Sequence, residues 1–332
     1  MKTYNYRQKL IKVFGVPFFD KKQVFERLPE DLRKTLNLEH LGKRCPGSRV
    51  CFRTDAEEIT IKLKLETLSV DPAMSLFACQ SAAVLAGERN NARFLGLVSP
   101  LDYNTLSFEN KFKKEPVMED ITIFMPRNEV VSDIEITVND GASVEECTPY
   151  RDIKPILYYG SSITEGGNCC SVFNAYNAII SNRLNVDYYN FGFSGSARAE
   201  LELADYINTI DMSIFVYDYD HNAPDPEALK ETHEPFFKRI REKNPELPIV
   251  MMSKPLAVYR EEDRIRRDII KETYNNAVNS GDKNVYFIDG ETYYGDNERQ
   301  LCSIDVWHPN DIGFLCMADV IEPVIKGILK NI

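Results

Sequence analysis

No stretch of this sequence has the continuous apolar run that a membrane span needs, and Met1 to Gly15 mixes Lys and Arg with isolated apolar residues instead of forming a secretory leader. There is no clustered stripe of lysine and arginine either. The formal charge of -11 repels phosphate backbones and anionic headgroups, so no nucleic acid and no membrane is expected as partner. Cys45, Cys51, Cys79, Cys147, Cys169, Cys170, Cys302 and Cys316 include no Cys-x-x-Cys pair, which speaks against a zinc ribbon or a disulfide framework. A reduced, cytoplasmic protein is the expectation. Only four histidines occur and none pair as His-x-x-x-His, so no metal site is expected. What is present is a chain of 332 residues, 43% hydrophobic, enough to bury two cores.

The patterning divides near Pro149. From Arg49 to about Cys147, short alternating runs such as Glu58–Leu65, Met74–Ala78, Ala92–Leu97, Ile121–Met125 and Asp133–Val138 are separated by turn residues. Strands in series without long helices predict an antiparallel β-sandwich over residues 1–150. Beyond it, apolar strands at Ile156–Tyr159, Val186–Phe191, Ile214–Tyr217, Ile249–Met252 and Val285–Ile288 alternate with helical segments, the last from Asp311 to Lys330. In that last helix Ile312, Leu315, Cys316, Ile321, Val324, Ile325, Ile328 and Leu329 predict the core-facing stripe. This alternation predicts an α/β domain over 151–332, a parallel sheet covered by helices, with function at the carboxyl ends of its strands.

The chemistry-bearing residues fall at those ends. The first strand runs into Gly160-Ser161-Ser162-Ile163-Thr164-Glu165-Gly166-Gly167, a glycine-rich turn without the lysine of a Walker loop. Ser162 is either displayed there as a nucleophile or merely caps the next helix. A serine hydroxyl needs a base. Of the four histidines, His308 is best placed, because Asp305 precedes it by three residues on a short loop and can hold one imidazole nitrogen while the other faces Ser162. For the oxyanion, Gly195 follows the second strand in Asn190-Phe191-Gly192-Phe193-Ser194-Gly195, and Asn222 follows the third in Asp218-Tyr219-Asp220-His221-Asn222. The alternative for Asn222 is an Asx turn before Pro224. Trp307, the one tryptophan, could stack on a sugar ring or wedge its loop into the core.

Together these blocks resemble the SGNH/GDSL hydrolase superfamily. The resemblance covers roughly Lys154 to Ile332 and implies a flavodoxin-like sheet, with Ser162 as nucleophile, Asp305 and His308 completing a triad, and Ser162, Gly195 and Asn222 forming the oxyanion hole. Two positions depart from the family pattern. Ser161 stands where aspartate is usual, and the third block, normally Gly-x-Asn-Asp, has become Asp218-Tyr219-Asp220-His221-Asn222, which leaves open which of its residues completes the hole. The chain is also similar to a two-domain branch with an N-terminal sandwich, associated with carbohydrate esterases. That likeness implies a cofactor-free carboxylic ester hydrolase removing short acyl groups, acetyl foremost, from a small-molecule or oligosaccharide ester through an acyl-enzyme. A carbohydrate-binding protein on a hydrolase scaffold, and a thioesterase or lysophospholipase, are the competing readings.

Overall fold

Ile59, Ile61, Leu63 and Leu65 are buried while Lys62 and Lys64 are exposed, so the alternation read in Glu58–Leu65 does produce a half-buried strand. The computed structural model describes residues 1–295 and 299–332. Ten strands precede residue 146: β1 (Lys2–Asn5), β2 (Lys12–Phe14), β3 (Arg49–Thr54), β4 (Glu58–Leu65), β5 (Ala82–Ala86), β6 (Arg93–Val98), β7 (Ser107–Lys113), β8 (Glu119–Phe124), β9 (Val131–Val138) and β10 (Val144–Glu145). They form two antiparallel sheets, in the orders β1-β9-β4-β7 and β10-β3-β8-β5-β6, with β2 added on β3. Side chains of both, Ile61 and Ile136 from one, Phe52 and Ile123 from the other, close a shared core, as in a sandwich.

One reading of this half is corrected, and one strand went unread. Met74–Ala78, expected as a strand, instead leads into a helix at Leu76–Gln80, because Ser75 caps it by accepting the Ala78 amide at 3.2 Å. The strand nearby is β5, whose run of apolar residues hid its period. Ala82, Val84 and Ala86 face the sandwich core, whereas Ala83 and Leu85 join the core of the second half. A strand buried on both faces has no reason to alternate.

Between β2 and β3 lie three short helices, α1 (Phe19–Lys22), α2 (Glu30–Thr35) and α3 (Glu39–Lys43); Leu76–Gln80 is α4. The second half contains the parallel strands β11 (Ile156–Gly160), β12 (Tyr188–Gly192), β13 (Ile214–Asp218), β14 (Ile249–Met252) and β15 (Val285–Ile288). Its helices are α5 (Ser162–Glu165), α6 (Tyr176–Leu184), α7 (Leu201–Ile207), α8 (Pro226–Lys243), α9 (Glu261–Asn279) and α10 (Asp311–Ile328). The sheet order β12-β11-β13-β14-β15 is the flavodoxin-like one, with β11 between β12 and β13, where the strand order reverses. In α10 the core stripe is turned from the expected one. Phe314, Met317, Ala318, Ile321, Ile325 and Ile328 are buried, while Ile312 and Leu315 are half exposed, because the helix is apolar around much of its circumference and packing chooses the face.

The edge of this sheet is covered by the amino-terminal half. Leu28 and Leu38 are buried against Tyr159, Phe191 and Phe193, each contributing about 1.5–3 kcal/mol. Arg27 donates to the carbonyls of Asn190 and Gly192 at 2.8 and 2.7 Å, and Arg49 is ion-paired to Asp187 just before β12. These bonds occupy an edge that would otherwise offer a row of unpaired groups. They also fix the sandwich beside the carboxyl end of the sheet.

Candidate active site

β11 stops at Gly160 for a steric reason: a Cβ there would come 2.2 Å from the Thr164 hydroxyl and 2.3 Å from the Asp218 carbonyl oxygen. The chain then turns into α5, one helical turn ended by Gly166 at φ 92°. The cap on this turn is Ser161, whose hydroxyl accepts the Ile163 amide at 3.1 Å. Ser162 is thus released from that duty. Its Oγ lies 2.9 Å from His308 Nε2.

His308 sits on a loop closed by a bridge between Ser303 and Pro309 and by an Ile304 amide to His308 carbonyl bond of 3.1 Å. Within it Asp305 Oδ1 accepts the amides of Trp307 at 3.0 Å and His308 at 2.7 Å, and Oδ2 lies 2.7 Å from His308 Nδ1. Burial works to raise the Asp305 carboxyl, but the amide and ring of His308 and the amide of Trp307 outweigh it and hold the group below the ordinary aspartate value. Val306 takes φ 65°, a strained conformation for a β-branched residue that these bonds impose. Asn310 locks the loop to α10, accepting the amides of Ile312 and Gly313 and donating to the Leu301 carbonyl at 2.7 Å. An ionised Asp305 receiving Nδ1–H leaves Nε2 to accept a proton from Ser162.

These residues open on a cleft of about 380 Å³. Its walls include Ser162, Gly167, Ser194, Gly195 and His308 from the second half and Asp71 and Arg127 from the sandwich half. Gly195 has φ 65°, a Cβ on it would meet nothing within 4 Å, and its amide has no acceptor among the described residues. Two free amides, those of Gly195 and of Ser162 at the first position of α5, are therefore available to a developing oxyanion.

Residues 153–326 match the GDSL-like Lipase/Acylhydrolase family, and residues 1–144 match the N-terminus of Esterase_SGNH_hydro-type proteins. The chain belongs to the GDSL-like lipase/acylhydrolase family. It is a carboxylic ester hydrolase with the amino-terminal region typical of SGNH-type esterases. Among solved structures, a protein from Bacteroides ovatus ATCC 8483 named as a GDSL-like lipase shares 23% identity at a TM-score of 0.88, covering 99% of this chain and 98% of its own. The salicylyl-acyltransferase SsfX3 of a tetracycline biosynthetic pathway shares 16% at 0.78, covering 99% and 98%. A family two carbohydrate esterase from Clostridium thermocellum, solved in complex with cellohexaose, shares 16% at 0.65, covering 96% and 99%. These likenesses establish the fold over the length of the chain. No curated protein matches it.

Within this family member, the blocks read from sequence converge unequally. Ser162, Asp305, His308 and Gly195 come together at the cleft, but Asn222 does not line it. Its Oδ1 faces the Ala197 amide at 3.4 Å and its carbonyl accepts from Arg198, which folds it into the Gly195 turn. Beside it His221 approaches His308 edge to face at 6.3 Å, its buried Nε2 has no hydrogen-bond partner among the described residues, and burial, with Lys254 and His308 nearby, pushes its pKa down to about 3. Trp307 does not line the cleft either; Arg260 covers its ring at 4.6 Å. Cys169 is driven up to about 12 by burial and Cys170 to about 11 by its bond to Asp311 and by burial, so neither thiol is poised as a nucleophile. Asp71 and Arg127 escaped the sequence reading because nothing local marks a charged residue that reaches the cleft from another sheet.

Beneath the nucleophile turn, Asp218 is buried and accepts from Thr164 Oγ1 at 2.8 Å and Tyr176 OH at 3.0 Å. Burial raises its pKa to about 7 against the lowering of those two bonds. The folded chain thus holds this proton to higher pH than the unfolded chain. The associated stability is full below the ordinary aspartate value of about 3.9 and is lost as pH rises through 7. Asp218→Asn should abolish that loss, so thermal melts at pH 5 and pH 8 should show the variant gaining on the wild type at the higher pH. Parallel curves would place the titration elsewhere.

Proposed function

We propose that this esterase removes short acyl groups, acetyl foremost, from a carbohydrate or other small hydroxylated molecule, through an acyl-enzyme on Ser162. The observation that carries the reading is the continuous line from Asp305 Oδ2 through His308 to Ser162 Oγ, with contacts of 2.7 and 2.9 Å, at the wall of a small polar cleft. His308 takes the hydroxyl proton as Ser162 attacks the ester carbonyl, and Asp305 stabilises the imidazolium. The amides of Gly195 and Ser162 receive the oxyanion. The proton then passes to the departing alcohol, and water, activated by the same imidazole, releases the acid. No step needs a cofactor.

The cleft walls argue for a short acyl group. Asp71, Arg127, Asn168 and Asp305 face it, and a long alkyl chain laid against them would strip water from charged and amide groups without replacing their hydrogen bonds. The fold likeness to a cellohexaose-bound carbohydrate esterase and to an acetyl xylan esterase from Butyrivibrio proteoclasticus supports a sugar as the alcohol part. Hydrolysis of nitrophenyl acetate, butyrate and octanoate tests the acyl preference. Acetate should be turned over fastest and octanoate at least about tenfold more slowly, on the basis of the charged wall. A preference for octanoate would replace this reading by a lipase or thioesterase.

A further inference from the structure

Glu165, the last residue of the nucleophile turn, is wholly buried and carries out none of the steps above. Its Oε2 accepts both the amide of Ser194, at 3.1 Å, and the Ser194 hydroxyl, while Oε1 has no hydrogen-bond partner among the described residues. Its backbone is pressed against β12 so closely that a Cβ on Gly192 would fall 2.2 Å from the Glu165 nitrogen. The residue after Ser194 is Gly195. The carboxylate therefore grips the turn immediately before the amide that faces the cleft.

A carboxylate buried this deeply needs a cation or it takes up a proton. Arg127, in the segment following β8, is its ion-pair partner, with Nη1 3.8 Å from Oε2. Arg127 is itself buried, and among the described residues its Nε and Nη1 make no hydrogen bond while Nη2 reaches a second acid, Asp71 Oδ2 at 3.4 Å. Nη1 also lies 3.3 Å from where a Cβ on Gly167 would be, directly behind the Ser162 turn. Charge balance in this pocket is thus supplied from the sandwich half.

We propose that Arg127 and Glu165 form a clamp across the two halves that fixes Ser194 and thereby aims the Gly195 amide at the oxyanion. Both are positioning residues, and the sandwich is a working part of the active site. The inference rests on the esterase reading. Pairing with Arg127 makes the bond from the Ser194 amide to Glu165 a charge-assisted one, shorter and stronger than a neutral bond. Displacing a reacting or stabilising group by about 1 Å can cost about a hundredfold in rate, and losing an oxyanion donor about a hundredfold or more.

Two double variants test it without leaving a buried charge unpaired. Arg127→Met with Glu165→Gln keeps a neutral acceptor for the Ser194 amide, and Arg127→Met with Glu165→Leu removes it. On nitrophenyl acetate the first, which cuts the tie to the sandwich but keeps an acceptor for the Ser194 turn, should lose about three- to tenfold in kcat. The second should lose about ten- to a hundredfold in kcat with KM within about twofold. Equal kcat in the two, or wild-type kcat and KM in the first, would overturn the clamp, and a raised KM with kcat retained in both would make Arg127 a substrate-binding residue instead. Hydrogen exchange of the peptide spanning Phe193–Ala197 should be fastest in the leucine variant and intermediate in the glutamine one. That readout needs no turnover, so an inactive wild type would sink the esterase reading and leave this test standing.

Discussion

Ser162→Ala should lower kcat on an acetyl ester by roughly four to six powers of ten, the scale set by removing the nucleophile of a serine triad. The hydroxyl is the one group that can form the acyl-enzyme, and no neighbour can replace it. Cys169 bonds to the Gly166 carbonyl at 2.9 Å and is raised to about 12, and Cys170 is raised as well. The fold should be undisturbed. Ser161, not Ser162, caps α5, so the alanine removes no cap and leaves only a small space at the cleft wall. The check is kcat on nitrophenyl acetate beside a thermal melt of both proteins, with intact-mass analysis for an acetyl adduct present in the wild type alone. An alanine variant that keeps a tenth of the activity would mean that water or another group attacks, and the acyl-enzyme would be abandoned.

What could be read in the sequence was what is local. The triad candidates lie on two short segments whose internal spacing already fixes their geometry: Asp305 reaches His308 within one loop, and the turn after β11 displays Ser162. The strand and helix alternation after Pro149 carried its own period, and β14 and β15 have the bounds expected of them. Failure began where two elements meet. β5 is apolar on both faces because each face serves a different core, so its sequence lacks alternation. The face of α10 that is buried was decided by its neighbours. Asn222 was chosen because its side chain can donate, but the structure gives its oxygen to the Ala197 amide, and this depends on the path of the Gly195 turn. Arg127 and Glu165 are separated by a whole half of the fold boundary, and neither sits in a motif that names the other.

Asp305→Asn should be the second most damaging change, lowering kcat by about a hundred- to ten-thousandfold while leaving the fold in place. The carboxylate has two separable duties. Oδ1 accepts the amides of Trp307 and His308, which holds the strained turn at Val306, and an asparagine oxygen can continue to do so. Oδ2 accepts Nδ1–H, and there the substitution places an NH2 group, donor against donor. The imidazole relieves the conflict by moving its proton to Nε2, where it can no longer receive one from Ser162, 2.9 Å away. Chemistry fails while structure survives. Asp305→Ala reverses the balance, since it frees Nδ1 but strips two amides of their acceptor and loosens the loop. The asparagine variant should therefore melt close to the wild type and be the less active of the two per folded molecule, with KM little changed in either. Equal kcat for Asp305→Asn and the wild type would show that the loop alone orients His308 and that Asp305 serves only to hold the turn.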